Sequence, residues 1–160
     1  MGLGRHIKGN QNVADGWTTS RSSAVAVVGS GFIGKGITFE NYVGPSKHQA
    51  AALRSGANFS AFLPMQLRGY QDTLYVHSFC QFYRECDMYG TIDYTFGNAA
   101  VVIQNSNLYV RKPNDQQRNI FTAQGRADQN QNSGISILNC KVDAASDLIP
   151  VQSSFRTYLG

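Results

Sequence analysis

The chain has 160 residues, of which 42% are hydrophobic and 15% are charged, a composition that suits one domain with a buried core. Its 14 basic and 10 acidic residues give a formal charge of +4, which favours a polyanionic partner, either a nucleic acid or an acidic polysaccharide. The basic residues are scattered and lack the aromatic pattern of an RNA-binding sheet, so we expect no nucleic-acid partner. No stretch approaches the roughly 20 apolar residues of a membrane helix, which argues against a membrane-spanning helix, and the first residues lack the apolar core of a signal peptide.

Cysteine and histidine spacing argues against a metal site. The cysteines at 80, 86 and 140 form no CxxC pair, and the three histidines lie far from any zinc-ligand spacing. Three cysteines allow at most one internal disulfide and leave at least one free thiol. The tripeptide Asn58-Phe-Ser60 matches the acceptor pattern for N-glycosylation, which matters only in a secreted chain.

The first glycine-rich stretch, AVAVVGSGFIGKG at residues 24–36, has the spacing of a dinucleotide-binding turn. That fingerprint needs a helix after the glycines and a carboxylate about 20 residues further on. Here Ile37–Asn41 alternates like a strand, and the residue at the expected distance is Gln49. The pattern therefore favours turns between short strands, with a dinucleotide-binding oxidoreductase as the weaker alternative.

Similar five-residue segments recur along the chain, each with small or apolar residues two apart. They begin at residues 37, 65, 86, 106 and 140, in steps of 28, 21, 20 and 34 residues. Coils of about 20 residues carrying loops of different length give this spacing, which predicts an all-β parallel β-helix. The inward-facing ladder would then contain Phe39, Leu67, Met88, Leu108 and Val142. A two-sheet sandwich with similar strand lengths stays open on spacing alone.

The least regular segment is Asn114–Ser133, which is polar at both ends and β-prone in the middle. It predicts two loops that flank one strand over Ile120–Ala123. Because its Asn and Gln side chains can continue the ladders of a β-helix, we expect it to be ordered.

Two aspartates lie one predicted coil apart. Asp72 and Asp93 are separated by 21 residues, so a β-helix would bring their carboxylates together on adjacent coils. Two neighbouring carboxylates do not both ionise readily, so one can hold a proton as an acid while the other attacks or acts as a base. The amides of Gln71 and Gln49 can donate hydrogen bonds to a developing oxyanion. Because an aspartate in a turn is also an ordinary capping residue, position alone leaves a structural role open.

Several long stretches, in order over essentially the whole chain, resemble the plant pectin methylesterases (pectinesterases). They are ITFEN, GPSKHQAAALR, GYQDTLYVHS, QFYREC, GTIDYTFGNAAVV, FTAQGRADQNQNSGISI and VQSSFRTYLG. The resemblance implies a right-handed parallel β-helix with an active-site cleft along one face. It also implies a carboxylic ester hydrolase that removes methyl esters from the polygalacturonate of pectin.

The resemblance also assigns roles to the matching residues. It makes Asp93 the nucleophile on the ester carbonyl and Asp72 the proton donor to methanol and later the base for water. It makes Gln71 the stabiliser of the tetrahedral oxyanion, and Gln49 and Thr19 contacts for the substrate. No metal or organic cofactor is required by this chemistry.

Two aromatic residues beside the nucleophile, Tyr94 and Phe96, either wall the cleft or pack in the core. As partners, the resemblance implies methylated pectin and a pectinesterase inhibitor protein, without a nucleic acid or a membrane. As a location, it implies the cell wall.

The sequence also departs from the family pattern. After Tyr-Leu-Gly the family continues Arg-Pro-Trp, whose arginine pairs with the nucleophile, whereas this sequence ends at Gly160. The resemblance therefore implies one β-helix domain over residues 1–160 without the amino-terminal coils or those after Gly160. This leaves a catalytically inactive pectin-binding fragment or pseudoenzyme as the alternative. Ser106 stands where the family commonly has a cysteine that could pair with Cys86.

Overall fold

The computed structural model describes residues 4–160, and its regular structure is almost entirely short strands. The strands in chain order are β1 (Arg5–Gly9), β2 (Val25–Val27), β3 (Ile33–Gly34), β4 (Ile37–Asn41), β5 (Leu53–Ser55), β6 (Ser60–Phe62), β7 (Gln66–Arg68), β8 (Leu74–Val76), β9 (Cys80–Arg84), β10 (Asp87–Gly90), β11 (Thr95–Gly97), β12 (Ala100–Gln104), β13 (Asn107–Val110), β14 (Asn119–Ile120), β15 (Thr122–Gln124), β16 (Gly134–Leu138), β17 (Lys141–Ala144) and β18 (Thr157–Tyr158). Three short 3₁₀ helices cover Thr19–Arg21, Pro45–Lys47 and Ile149–Ser154.

Three parallel sheets share the strands in a repeating order. Sheet 1 runs β1-β4-β7-β10-β13-β17, sheet 2 runs β2-β5-β8-β11-β15, and sheet 3 runs β3-β6-β9-β12-β16. Each turn of the chain, here called a coil, thus contributes one strand to each sheet before the next coil stacks on it. Within residues 4–160 every recorded strand pairing is parallel, including the small β14–β18 pair. This arrangement is the predicted parallel β-helix and not a two-sheet sandwich.

The predicted ladder forms in sheet 1 with the expected register. The register pairs Phe39 with Leu67, Leu67 with Met88, Met88 with Leu108, and Leu108 with Val142. The first four side chains are buried, while Val142 is 51% exposed because β17 is the last strand of this sheet. Stacking equivalent apolar residues therefore builds the core along the solenoid axis.

The other two sheets bury their inward side chains by the same alternation. In β8, Leu74 and Val76 are fully buried while Tyr75 between them faces outward. From sheet 3, the rings of Phe62 and Tyr83 enter the core and stack with centroids 4.6 Å apart. The short strands thus need only one or two apolar residues each.

The segment Asn114–Ser133 differs from its prediction of one strand over Ile120–Ala123. Two strands occur instead, β14 and β15, and they belong to different sheets. Between them Phe121 is 4% exposed and packs against Tyr94, with ring centroids 5.2 Å apart. Burying this ring in the core redirects the chain, so a single continuous strand cannot form there.

The glycine-rich stretch at residues 24–36 contains β2, β3 and the turns between them. Gly31 and Gly36 have φ values of +72° and +68°, which lie in the left-handed region that glycine adopts without strain. The predicted strand at Ile37–Asn41 is confirmed as β4 and follows directly, so this stretch lacks the helix of a dinucleotide-binding turn.

The three cysteines are free thiols in the described chain. The backbone N–H of Cys86 donates a hydrogen bond to Ser106 Oγ at 3.0 Å, so these two positions are neighbours on adjacent coils. None of the helices within residues 4–160 has the length and hydropathy needed to cross a bilayer.

Candidate active site

Two turns of the same sequence form, Gly-x-x-Asp, connect sheet 1 to sheet 2 on adjacent coils. One turn runs from Gly69 to Asp72 between β7 and β8, and the other from Gly90 to Asp93 around the end of β10 and before β11. Both aspartates adopt the left-handed conformation, with φ of +66° and +48°. Non-glycine residues take this conformation at some energetic cost, which is often found at functional sites.

The glycines are required because the residue after each aspartate packs against them. A Cβ added at Gly69 would lie 2.6 Å from Thr73 Oγ1, and one at Gly90 would lie 2.2 Å from Tyr94 Cβ. Thr73 Oγ1 also lies 3.1 Å from the carbonyl oxygen of Tyr70. Each turn therefore closes tightly and presents its aspartate at an equivalent place in the coil.

Coil stacking brings the two aspartates together. The backbone N–H of Asp72 donates a hydrogen bond to the carbonyl oxygen of Ile92 at 3.0 Å, directly before Asp93. Two residues further on, the N–H of Leu74 bonds the carbonyl of Tyr94 at 2.7 Å, which continues the same register. The pair predicted from the 21-residue spacing thus lies on adjacent coils.

Burial raises the pKa of both carboxyls, and the charge of Asp93 adds to the rise at Asp72. Asp72 is 6% exposed, and this burial, together with the charge of Asp93, raises its pKa to about 7. Partial burial raises the pKa of Asp93 as well. Near neutral pH, Asp72 is therefore still protonated in a substantial fraction of molecules. A protonated carboxyl beside an ionised one can act as a general acid.

The raised pKa of Asp72 also makes the fold sensitive to pH. Between its ordinary value of 3.8 and about 7, the folded chain holds a proton at Asp72 that the unfolded chain has lost. Since the folded state binds more protons in this range, the free energy of unfolding falls as the pH rises through it. The loss amounts to about 1.4 kcal/mol for each unit by which the pKa is raised.

The three other predicted site residues occupy the same and preceding coils. Gln71 precedes Asp72, and its carbonyl oxygen accepts a hydrogen bond from Ala50 N–H at 3.1 Å, which places Gln49 on the coil before. Both glutamine side chains are partly exposed, and within the described chain their amides form no hydrogen bond with the protein, so both amides are free to bind a ligand.

Thr19 lies on an earlier coil than the two glutamines. It opens the first 3₁₀ helix, and its carbonyl oxygen accepts a hydrogen bond from Ser22 Oγ at 2.8 Å. Ser22 Oγ accepts in turn from the N–H of Ala51, on the coil that carries Gln49. The structure therefore places Thr19 at the end of a row that runs across adjacent coils, on the coil before Gln49 and two coils before Asp72.

The two predicted aromatic residues separate into different roles. Tyr94 is 1% exposed and packs against Phe121, so it belongs to the core and is not a cleft wall. Phe96 faces outward and stacks on Tyr75 with ring centroids 4.4 Å apart. Tyr75 was not among the predicted site residues, although its position between buried Leu74 and Val76 indicates an outward ring.

Arg111 contacts and stabilises the turn that carries Gln71 and Asp72. Its guanidinium carbon lies 3.8 Å from the centroid of the Tyr70 ring, and its Nη1 donates a hydrogen bond to the carbonyl of Gly69 at 3.2 Å. Asp147 holds the other side of the guanidinium through Nε at 3.2 Å. No local sequence signal identifies Arg111, because its contacts lie 36 to 42 residues away.

Neither a metal site nor the largest described groove offers an alternative to the aspartate pair within residues 4–160. Within residues 4–160 no group of three or more His, Cys, Asp or Glu side chains is placed to hold a metal ion. A groove of about 670 Å³ runs along sheet 3 and contains none of the predicted site residues. The candidate site is therefore the pair of turns between sheets 1 and 2, where the carboxyls with raised pKa values lie, rather than that groove.

Comparison with known sequences identifies the family of this chain. The family model described as pectinesterase matches residues 3–160. Pectinesterase 2 of Citrus sinensis is 58% identical over 160 residues, covering 99% of this chain and 31% of that protein. "Probable pectinesterase/pectinesterase inhibitor 7" of Arabidopsis thaliana is 57% identical over 154 residues, covering 96% of this chain and 27% of that protein. The chain thus spans less than a third of the length of these curated relatives.

Solved structures agree with the sequence comparison. Pectin methylesterase from carrot superposes with a TM-score of 0.96 at 52% identity, covering 98% of this chain and 49% of that one. Pectin methylesterase PemA from Erwinia chrysanthemi gives a TM-score of 0.85 at 28% identity, covering 96% of this chain and 52% of that one. The right-handed parallel β-helix implied by the resemblance is confirmed by these matches. Sequence and structure together place this chain in the pectinesterase family.

Proposed function

We propose that this chain carries the catalytic pair of a pectin methylesterase, with Asp93 as the nucleophile and Asp72 as the proton donor. The observation that carries the proposal is the placement of both carboxyls in equivalent turns of adjacent coils, with the pKa of Asp72 raised to about 7. Family membership supports the methyl-esterified galacturonate of pectin as the substrate.

In the first half of the reaction, a carboxylate oxygen of Asp93 attacks the ester carbonyl carbon. The tetrahedral intermediate collapses, the bond to the methoxy oxygen breaks, and the proton of Asp72 passes to that oxygen to release methanol. The substrate acyl group is then held on Asp93 as a mixed anhydride, and Asp72 is ionised.

In the second half, ionised Asp72 accepts a proton from water, and the water oxygen attacks the acyl group held on Asp93. The anhydride bond breaks, which returns Asp93 to its carboxylate form and releases a galacturonic acid carboxyl that passes its proton to solvent; Asp72 is again protonated. The same residue serves first as an acid and then as a base, which suits a pKa close to neutral pH.

Side chains around the pair supply binding groups. The free amide of Gln71 is one residue from Asp72 and can donate to the oxyanion that forms in both halves. Gln49 and Thr19 extend this polar row over the preceding coils and would bind neighbouring sugars. The outward stack of Tyr75 and Phe96 offers flat apolar faces suited to sugar rings.

A partner and a location follow from the relatives. Two Arabidopsis proteins with 57% and 58% identity are named for both a pectinesterase and a pectinesterase inhibitor, which supports a pectinesterase inhibitor protein as a partner. The proposed substrate is a cell-wall polymer, so the proposed location is the cell wall.

The test is methanol release from highly methylated pectin. It uses the 160-residue chain and the same chain extended by the family's Arg-Pro-Trp segment. We expect methanol from at least the extended chain, and we expect Asp93→Asn to reduce the release to background. Asp128→Asn changes an exposed aspartate and serves as the matched control, with unchanged release expected.

Retained activity in Asp93→Asn would contradict the role of Asp93. An absence of methanol from both chains, while both fold and still bind pectin, would support the inactive pectin-binding module instead. Release by the extended chain alone would mean that the Asp72–Asp93 pair requires the family's arginine to act.

A further inference from the structure

The tripeptide Asn58-Phe59-Ser60 has no part in the proposed ester chemistry. It is the one Asn-x-Ser/Thr pattern in the sequence. It lies in the turn between β5 and β6, at the opposite end of β5 from the turns that carry the catalytic aspartates. Chain turns of this kind are where carbohydrate is attached in secreted proteins.

The Asn58 side chain is arranged so that its nitrogen is available. Its Oδ1 accepts hydrogen bonds from the backbone N–H of Phe59 at 3.1 Å and of Cys80 at 3.3 Å. Among residues 4–160, no recorded hydrogen bond involves its Nδ2. An N-glycosidic bond replaces one hydrogen of Nδ2 and leaves Oδ1 as an acceptor, so a sugar can be added without breaking either contact.

Ser60 determines when the sugar could be added. It is 2% exposed, and its hydroxyl donates a hydrogen bond to the carbonyl of Ala57 at 3.1 Å. The acceptor pattern requires this hydroxyl to be accessible, and it is not accessible once β6 pairs with β9. Transfer must therefore precede formation of that pair, as it does on a nascent chain.

The surface beside Asn58 suits an uncharged carbohydrate. Phe59 is 73% exposed and Phe79, on the next coil, is 58% exposed. Phe59 lines the sheet 3 groove of about 670 Å³, and Phe79 directly precedes Cys80, which also lines it. The other lining residues include Phe82 and Val102, and none of the lining residues is Asp, Glu, Lys or Arg. Apolar surface of this kind is an aggregation liability when it is left uncovered.

We propose that Asn58 is an N-glycosylation site and that the first sugars of its glycan cover the groove along sheet 3. In the transfer step, Asn58 Nδ2 attacks the anomeric carbon of an oligosaccharide carried on a lipid pyrophosphate. The N–C bond forms, the bond from that carbon to the pyrophosphate oxygen breaks, and one amide proton is released. The reaction needs passage through the secretory pathway but no functioning Asp72–Asp93 pair.

The test translates the full chain behind a cleavable secretion signal in the presence of endoplasmic-reticulum microsomes. We expect one endoglycosidase-sensitive increase in mass for the chain and for Ser60→Thr, and none for Asn58→Gln or Ser60→Ala. An unshifted wild-type chain, or a shift that persists in Asn58→Gln, would overturn the proposal. Because the readout is mass, it is independent of methanol release and of whether the chain is an esterase.

The covering of the groove is tested on the secreted chain. We expect a dye that fluoresces on apolar surface to bind the glycosylated chain less than the Asn58→Gln chain. The difference should shrink when Phe59→Ser removes the most exposed ring from both. Equal dye binding by the glycosylated and Asn58→Gln chains would overturn this part of the proposal.

Discussion

At the scale of single residues, the candidate site depends on side chains that hold the aspartates as much as on the aspartates themselves. Arg111 joins the Tyr70 ring, the Gly69 carbonyl and Asp147, all with one planar guanidinium. Gly69 and Tyr70 lie directly before Gln71 and Asp72 in the chain. A planar group with several donors can fix that turn in a way that a lysine cannot.

We expect Arg111→Lys to lower kcat for methanol release roughly 10- to 100-fold with little change in KM, because small displacements of catalytic groups are costly. A loosened turn also admits water to Asp72, which lowers its pKa. The alkaline limb of the pH–rate profile should therefore move to lower pH. Arg84→Lys changes an exposed arginine paired with its neighbour Glu85 and serves as the control.

An unchanged kcat and an unmoved alkaline limb in Arg111→Lys would show that Arg111 does not position the turn. A lower yield of folded protein with a normal kcat per folded molecule would contradict the positioning role as well.

The sequence predicts part of this site and misses the rest for physical reasons. The 21-residue spacing predicts that Asp72 and Asp93 meet, because the coil length converts sequence distance into spatial contact. Nothing local identifies Arg111, whose partners are brought to it only when the coils stack. Tyr94 is ambiguous from sequence, since an aromatic residue after a turn can point inward or outward, and the structure buries it.

At the scale of elements, the ladder in sheet 1 shows why such short strands are stable. Leu67 is fully buried between Phe39 and Met88 in the register, whereas Val142 in the same ladder is half exposed. The contribution of each ladder residue to the free energy of unfolding should depend on whether a coil covers it on both sides.

We expect Leu67→Ala to lower the free energy of unfolding by about 2–5 kcal/mol, since it removes buried methyl groups and leaves a cavity. We expect Val142→Ala, on the same ladder, to lower it by less than about 1 kcal/mol. Denaturant titration of the two variants measures both values. Equal losses of unfolding free energy in the two variants would contradict the difference in packing between Leu67 and Val142.

The elements also show the limit of prediction from spacing. The five ladder positions follow from alternation and repeat length, because both strand pairing and burial obey the same two-residue period. The division of the segment after Asn114 into β14 and β15 does not follow, since it depends on Phe121 turning into the core. Burial of that one ring is a tertiary effect and outweighs the local strand pattern.

At the scale of the whole molecule, the solenoid itself brings the two carboxyls together. Asp72 and Asp93 are far apart in the chain but equivalent in the coil, and stacking places one beside the other. The cost is that the contribution of Asp72 to stability declines as the pH rises from about 4 to about 7, because this carboxyl must then lose its proton in a buried place. The same burial that destabilises the ionised form would supply the acid in the proposed ester cleavage.

The most direct test of this coupled pair is a titration of the Asp72 carboxyl by carbon NMR in the wild-type chain and in Asp93→Asn. We expect an apparent midpoint at about pH 7 in the wild type. In Asp93→Asn the midpoint should fall, yet stay above 3.8, because burial is the larger cause of the raised pKa. A wild-type midpoint near 3.8, or a midpoint that Asp93→Asn leaves unchanged, would contradict the coupling of the two carboxyls.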